Sequence, residues 1–363
     1  MGPIEIQTLA ELDERVAAGA TSMDGWQLQD LDLTGREDVL ARLDPHGALF
    51  LGCRMSEATA DRMRAGGALL FPAVPDVPFD PWRATLYSAG ELYDRLEEGY
   101  EATTDARIYA WTRSRGRPMS VHDTLAQAVH DNSVDDALEE YLAGRRVVGV
   151  MGGHALRRDD AGYLAAARLG HAIADAGLTV GTGGGPGAME AANLGALMAR
   201  EPVERLERAV ARAARVPSYR PSVSAWAGAA LDAVDGIEPS GLSLGIPTWF
   251  YGHEPPNPFC AGIAKYFRNA IREDGLLRVS RAGIVFLPGS AGTVQEVFQA
   301  ACENFYAEPD QVAPIVLVGT EHWTRQLPAW PLLQVLGSSR ALGAKLHLVD
   351  DPAEVLPALL QEG

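Results

Sequence analysis

From about Arg145 onward, short apolar runs alternate with stretches of helical periodicity, and that rhythm restricts the fold more than any other feature. Val147-Val148-Gly149-Val150-Met151 reads as a buried strand, Tyr163 to Ala176 as a helix ending at Gly177, and Leu178-Thr179-Val180 as the next strand. The runs 242–246, 284–287, 315–318 and 346–349 supply further strands. The alternation predicts an α/β fold: a Rossmann-like, doubly wound parallel sheet with helices on both faces, over residues 144–363. Residues 202–233, rich in Ala, Arg and Glu, break the rhythm and read as a helical insertion. It is either a lid or subunit contact, or a solvated helix on the domain edge.

Residues 1–143 are less regular and read as a smaller N-terminal α/β domain of unassigned role. The runs 48–52 and 68–71 look like strands flanking a helix from Ser56 to Arg64. The proline-dense stretch from Pro72 to Pro81 reads as a loop. No repeat at a solenoid period is evident.

Two glycine-rich turns, Gly183-Gly184-Gly185-Pro186-Gly187-Ala188-Met189-Glu190 and Pro288-Gly289-Ser290-Ala291-Gly292-Thr293-Val294-Gln295-Glu296, each follow an apolar run and open a helix. A helix N-terminus presents unpaired N–H groups and about half a positive charge, a seat for phosphate. Two such seats at the carboxyl ends of strands suggest a phosphorylated ligand held between them. Glu296, roughly one helical turn into its helix, places an acid beside that cradle.

Composition narrows the partners. A formal charge of −17 disfavours a nucleic-acid backbone. It does not exclude a small anion, because charge is screened over about 8 Å at physiological salt. No apolar stretch approaches the roughly 20 residues of a membrane span, and no secretory signal is visible. Cys53, Cys260 and Cys302 show neither metal-ligand nor disulfide spacing, consistent with free thiols in a cytoplasmic protein. Lys265 and Lys345 are the only lysines, and neither follows a P-loop pattern. The spacing Gly183-x-Gly185-x-x-Ala188 satisfies a loose dinucleotide pattern. It follows the domain's second strand, however, and the acids downstream, Glu201 and Glu204, fall in the insertion, so a nicotinamide oxidoreductase ranks last.

The pair of motifs, Gly-Gly-Gly-Pro-Gly-Ala-Met-Glu-Ala at 183–191 and Pro-Gly-Ser-Ala-Gly-Thr-Val-Gln-Glu at 288–296, resembles the LOG (Lonely Guy) phosphoribohydrolase superfamily. With Glu254-Pro255-Pro256-Asn257-Pro258, it looks most like the branch of pyrimidine/purine nucleotide 5′-monophosphate nucleosidases. The resemblance covers about Arg145 to Val349. It implies a Rossmann-like homodimer or higher homo-oligomer that hydrolyses a nucleoside 5′-monophosphate to free base and ribose 5-phosphate. It requires neither metal nor organic cofactor. The family's catalytic glutamate falls on Glu296, and its catalytic arginine falls nearest Arg272, with Arg268 as second match. Substrate contacts fall on Gly183, Gly184, Gly185, Gly187, Met189, Asn257, Gly289, Ser290, Gly292 and Thr293. Glu190 either binds ribose hydroxyls or caps its helix, and His154 either touches ligand or caps a loop.

Two departures bear on substrate more than fold. Ser290 stands where the family usually has glycine: it either adds a hydroxyl donor to the phosphate or is strained if the position needs positive φ. Gln295 replaces the first of two paired glutamates, leaving Glu296 alone for the chemistry. A second reading is a non-catalytic carrier or sensor of a nucleotide or pterin cofactor on the same fold.

Overall fold

A computed structural model describes residues 4–115, 119–250 and 254–360. The chain forms two compact units, Met1–Leu86 with Arg113–Glu140, and Tyr87–Thr112 with Tyr141–Gly363. The chain therefore passes between units after Leu86, Thr112 and Glu140, where the sequence suggested a single boundary at 143/144. No helix among the described residues is long and apolar enough to cross a membrane.

In the first unit, β1 (Ile4–Ile6), β2 (Trp26–Gln29), β3 (Leu49–Leu51) and β4 (Leu69–Phe71) form a parallel sheet in chain order. Helices α1 (Leu9–Ala17), α2 (Glu37–Leu40) and α3 (Glu57–Ala65) lie in the connections, α3 capped by Ser56. Ile4 pairs with Trp26, Gln27 with Leu49 and Leu49 with Leu69, so successive strands are offset by 22, 22 and 20 residues. This is a coil repeating at a solenoid period, which corrects the reading that residues 1–143 hold no repeat. Its signature is sparse. Gly25, Gly47 and Gly67, all at positive φ, each precede a residue that turns into the core: Trp26, Ala48 and Ala68. Two residues later, Leu28 and Phe50 also turn inward and Leu70 packs against them.

The second unit carries seven parallel strands in the order β11-β10-β9-β5-β6-β7-β8. They are β5 (Val147–Met151), β6 (Thr179–Thr182), β7 (Ser243–Gly245), β8 (Gly262–Ile263), β9 (Gly283–Phe286), β10 (Ile315–Val318) and β11 (Leu346–Val349). The chain runs outward from β5 to β8, then returns to the other side of β5 for β9. That reversal between β5 and β9 is the switch point at which doubly wound sheets hold ligands. The fold is α/β and Rossmann-like, with each expected apolar run forming a strand. The extra strand β8 is only two residues long, and no apolar run signals it.

Helices α4 (Ala89–Leu92), α5 (Thr104–Ser114) and α6 (Val121–Leu142) precede β5 in the chain, and α7 (Ala161–Asp175) and α8 (Ala188–Leu197) follow β5 and β6. They meet backbone to backbone, because a Cβ at Gly195 would overlap the Ala167 carbonyl oxygen and one at Gly170 the Ala192 carbonyl oxygen. The insertion is a packed pair, α9 (Val203–Ala213) and α10 (Val223–Ala233). Leu206, Ala209, Val210 and Ala213 of α9 join the main core, so α9 is amphipathic rather than solvated all round. Trp226 and Ala227 of α10 cluster with Tyr93, Tyr100 and Ala106.

Tyr93, Tyr100 and Ala106 belong to the segment 87–112, whose tie to this unit is electrostatic as well as apolar. Lys265 is enclosed, and its Nζ lies 2.5 Å from Asp105 Oδ1, which also accepts from Trp249 Nε1 at 2.8 Å. Tyr100 donates to Asp105 Oδ2 at 2.5 Å. A buried ammonium requires such a partner.

The α7–α8 contact leaves no room for a methyl group. Gly195→Ala is expected to lower unfolding free energy by about 1–3 kcal/mol. Urea denaturation reads this directly, and an unchanged midpoint would show that the two backbones have slack.

Candidate functional site

Both glycine turns open on one cavity of about 200 Å³. The β6–α8 turn contributes Gly183, Gly185 and Met189. Helix α12 (Ala291–Tyr306), which follows β9, contributes Gly292, Thr293 and Glu296. Helix α11 (Asn269–Val279) contributes Arg272, the only arginine or lysine among the described residues lining the cavity.

Arg272 is fixed from two sides. Its Nε donates to the Ile246 carbonyl at 2.8 Å, and its Nη1 donates to Glu296 Oε1 at 3.2 Å. The two side chains keep 13% and 16% exposure, so the pair is sheltered yet open to the cavity. A Cβ on Gly183 would overlap Arg272 Nη2 and sit 2.9 Å from Met189 Sδ. Gly183 therefore leaves space for the guanidinium. Arg268, the second match for the family arginine, is the N-cap of α11 and does not line the cavity.

Burial pushes the Glu296 carboxyl above the usual carboxylate range. Arg272 pulls it back, and Glu273 pushes it further up. Glu273 and Glu254 also line the cavity. Gln295 Nε2 donates to Glu273 Oε2 at 3.0 Å. Glutamine at 295 thus gives a neighbouring carboxylate a hydrogen bond where a second glutamate would repel it.

On the second turn, Gly289 packs against Thr293, whose Oγ1 a Cβ would overlap. Ser290 is the N-cap of α12 with φ −118° and ψ −150°, extended backbone that serine adopts freely. The strain expected for serine there is absent. Its hydroxyl makes no cap bond, and Gly292 has open space around its Cα. Gly289 and Ser290 border a second, larger cavity, while Gly292 and Thr293 border the Arg272 cavity. The α12 N–H groups therefore stand between the two.

The first turn is held from behind. Asn257 Nδ2 donates to the Gly185 carbonyl and to Asn193 Oδ1, both at 3.1 Å, while its Oδ1 accepts from Phe259 N at 3.2 Å and Cys260 Sγ at 3.3 Å. Its backbone N–H donates to the Gly184 carbonyl at 2.8 Å. An amide has two donors and two acceptor sites, so this side chain is saturated and fully buried. The expectation that Asn257 contacts substrate is corrected: it clamps the turn. Asn193 in turn accepts from Thr182 Oγ1 at 2.6 Å and donates to Ser243 Oγ at 3.0 Å. Gly184, at φ +67°, packs on Pro247, and Gly187, at φ +81°, presses against the Gly153 and His154 carbonyls.

Glu190 also lies outside the Arg272 cavity. It is fully buried against Arg158, whose Nε donates to Oε1 at 2.8 Å. Arg158 further donates to the Trp226 carbonyl at 3.0 Å and lies over the Trp226 ring. Glu190 so ties α8, through Arg158, to α10, and the backbone N–H of Gly187, the N-cap of α8, also holds its carboxylate, which fits the helix-capping alternative rather than a ribose contact in the Arg272 cavity. His154 borders both cavities at the second turn and a third of about 410 Å³ beside Gly187.

Sequence reasoning missed Glu254, Glu273 and the supporting residues Thr182, Asn193 and Ser243. Glu254 lay inside the Glu-Pro-Pro-Asn motif that had drawn attention to Asn257 instead. Nothing in the pattern of α11 singles out Glu273, since only the fold brings it beside Gln295. No cluster of His, Cys, Asp and Glu able to hold a metal occurs among the described residues.

No family model matches the sequence, and no curated protein matches it. Among solved structures, the molybdenum cofactor binding protein from the phototrophic bacterium Rippkaea orientalis is similar to part of the chain. The match covers 60% of this chain and 98% of that one, at 18% identity and a TM-score of 0.36.

If Glu190 is a structural partner, Glu190→Gln leaves Arg158 buried without its counter-charge and lowers stability by about 3–5 kcal/mol. Thermal unfolding measures the loss. A variant that melts like the parent but binds nucleotide more weakly would return Glu190 to the ligand.

Proposed function

We propose that the Arg272 cavity hydrolyses the N-glycosidic bond of nucleoside 5′-monophosphates to free base and ribose 5-phosphate. The observation that carries this reading is the sheltered Glu296 carboxylate, held against Arg272 in a cavity onto which both glycine turns open. The 5′-phosphate would take the N–H groups of Gly292 and Thr293, where the helix dipole favours an anion. Glu296 lies about one helical turn further along, at the distance of the sugar. Its carboxylate would stabilise the oxocarbenium-like centre at C1′ and deprotonate or orient the attacking water. Arg272 would meet charge on the departing base and keep Glu296 ionised despite its burial.

Incubation with AMP, GMP, CMP, UMP and IMP, followed by detection of free base, tests the proposal. Folded protein that releases no base from any of them overturns it, and intact nucleotide retained without turnover supports a carrier. Glu296→Gln is expected to lower kcat at least about 100-fold with nucleotide binding largely kept.

The pH profile carries a signed expectation. Glu296 acts ionised, and burial raises its pKa, so kcat/KM falls with decreasing pH through a pKa above the ordinary glutamate value of about 4.3. Arg272 lowers that pKa, so Arg272→Gln moves the acid limb to higher pH. A limb that stays in place, or moves down, removes the Arg272–Glu296 coupling from the mechanism.

A further inference from the structure

The Arg272 cavity carries more acid than its arginine balances. Among the described residues, its charged or titratable lining groups are His154, Glu254, Arg272, Glu273 and Glu296. Arg272 is engaged by Glu296 at 3.2 Å and by the Ile246 carbonyl at 2.8 Å, so the charge of that pair is already matched. Glu254 and Glu273 are left without an arginine or lysine of their own among the described lining residues. They stand on two sides. Glu254 Oε2 lies 3.5 Å from the point that a Cβ on Gly185 would occupy, at the first turn. Glu273, on α11, accepts from Gln295 Nε2 of α12 at 3.0 Å. That amide fixes the carboxylate and leaves its charge in place. Met189 and Pro247 supply apolar wall.

A lining of this sign attracts a cation and repels an anion. The volume, about 200 Å³, falls below the roughly 300–1,000 Å³ of pockets for drug-sized ligands, and so suits a one-ring base. We propose that the base taken by this cavity is a cationic single ring, making the substrate an N-ribosylpyridinium 5′-phosphate. Phosphate and sugar keep the seats that the hydrolytic reading gives them, and to that extent the proposal rests on that reading. The ring lies toward Glu254 and Glu273. A neutral base leaves as an anion unless a proton reaches it, whereas a pyridinium needs none. Water oxygen bonds to C1′ as the C1′–N bond breaks, and the ring nitrogen keeps the electron pair, so the pyridine departs neutral. The proton that water gives up passes to Glu296 and then to solvent. Positive charge moves from ring to sugar in the transition state and stays among carboxylates throughout. With this leaving group, Arg272 acts on Glu296 alone.

Carbocyclic nicotinamide mononucleotide, which lacks the furanose oxygen and resists hydrolysis, and its dihydropyridine form differ chiefly in the charge of the base. Calorimetry on the whole chain compares them at low ionic strength, where exposed charges are least screened. The cationic form is expected to bind at least about tenfold more tightly. Glu254→Gln and Glu273→Gln should each reduce that ratio, and the double substitution should bring it to about one. Equal binding of the two forms, or a ratio that survives both substitutions, overturns the proposal. Nicotinamide release from nicotinamide mononucleotide, set beside adenine release from AMP, separates it from the hydrolytic reading. A tenfold binding ratio with no base released from either nucleotide upholds the cation-selective cavity and overturns hydrolysis. Adenine release with a binding ratio of one does the reverse.

Discussion

The cavity at the carboxyl end of the sheet exists because several loops approach each other more closely than side chains permit. Gly183 leaves space for the Arg272 guanidinium, and Gly187 lets the first turn lie on the carbonyls of the loop after β5. Below them, Gly195 and Gly170 allow α8 to lie against α7 with backbones in contact. A single methyl group at any of these positions would separate the parts. Arg272 would then lose its seat beside Glu296, and the first turn its place above β5. The glycines that suggested phosphate binding are in large part a device for packing.

Charge placement follows a related logic. Among the described residues, the second unit holds three sheltered acid–base pairs: Asp105–Lys265, Glu190–Arg158 and Glu296–Arg272. The first two are closed off at 1% exposure on each side, while the third retains a face on the cavity. A closed pair fixes two elements to each other, because separating it strands a charge in the interior. A pair with one open face still fixes its elements, yet leaves a carboxylate whose ionisation a ligand can sense. The difference between scaffold and chemistry here is one of access rather than residue type.

This explains what could be read in the sequence. The strands of the second unit were legible because each is a continuous apolar run between helical patterns. Glu296 was singled out by its motif and Arg272 only by the family resemblance, and the structure brings the two within 3.2 Å of each other. Glu190 and Glu296 look alike in sequence, each an acid just past a glycine turn. Only the course of the chain shows that Arg158 reaches one and Arg272 the other. Asn257 was expected at the substrate, but its four side-chain hydrogen-bonding positions are taken by the protein. In the N-terminal coil, β3, α3 and β4 were legible but the repeat was not, because its strands are three or four residues long and Trp26, Ala48 and Ala68 occupy equivalent sites with very different volumes. The segment 87–112 was assigned to the wrong neighbour because Asp105 and Lys265 are far apart in sequence.

Strands that stack in chain order have a further consequence for the first unit. Each turn of such a coil rests on the turns immediately before and after it, so its cohesion is a sum of nearest-neighbour terms. A duplication or loss of about one turn restores the same contacts at a new junction, whereas an insertion of arbitrary length throws Gly25, Gly47 and Gly67 out of phase. Variation in the size of this unit between related chains would then be quantised, in steps of roughly twenty-two residues.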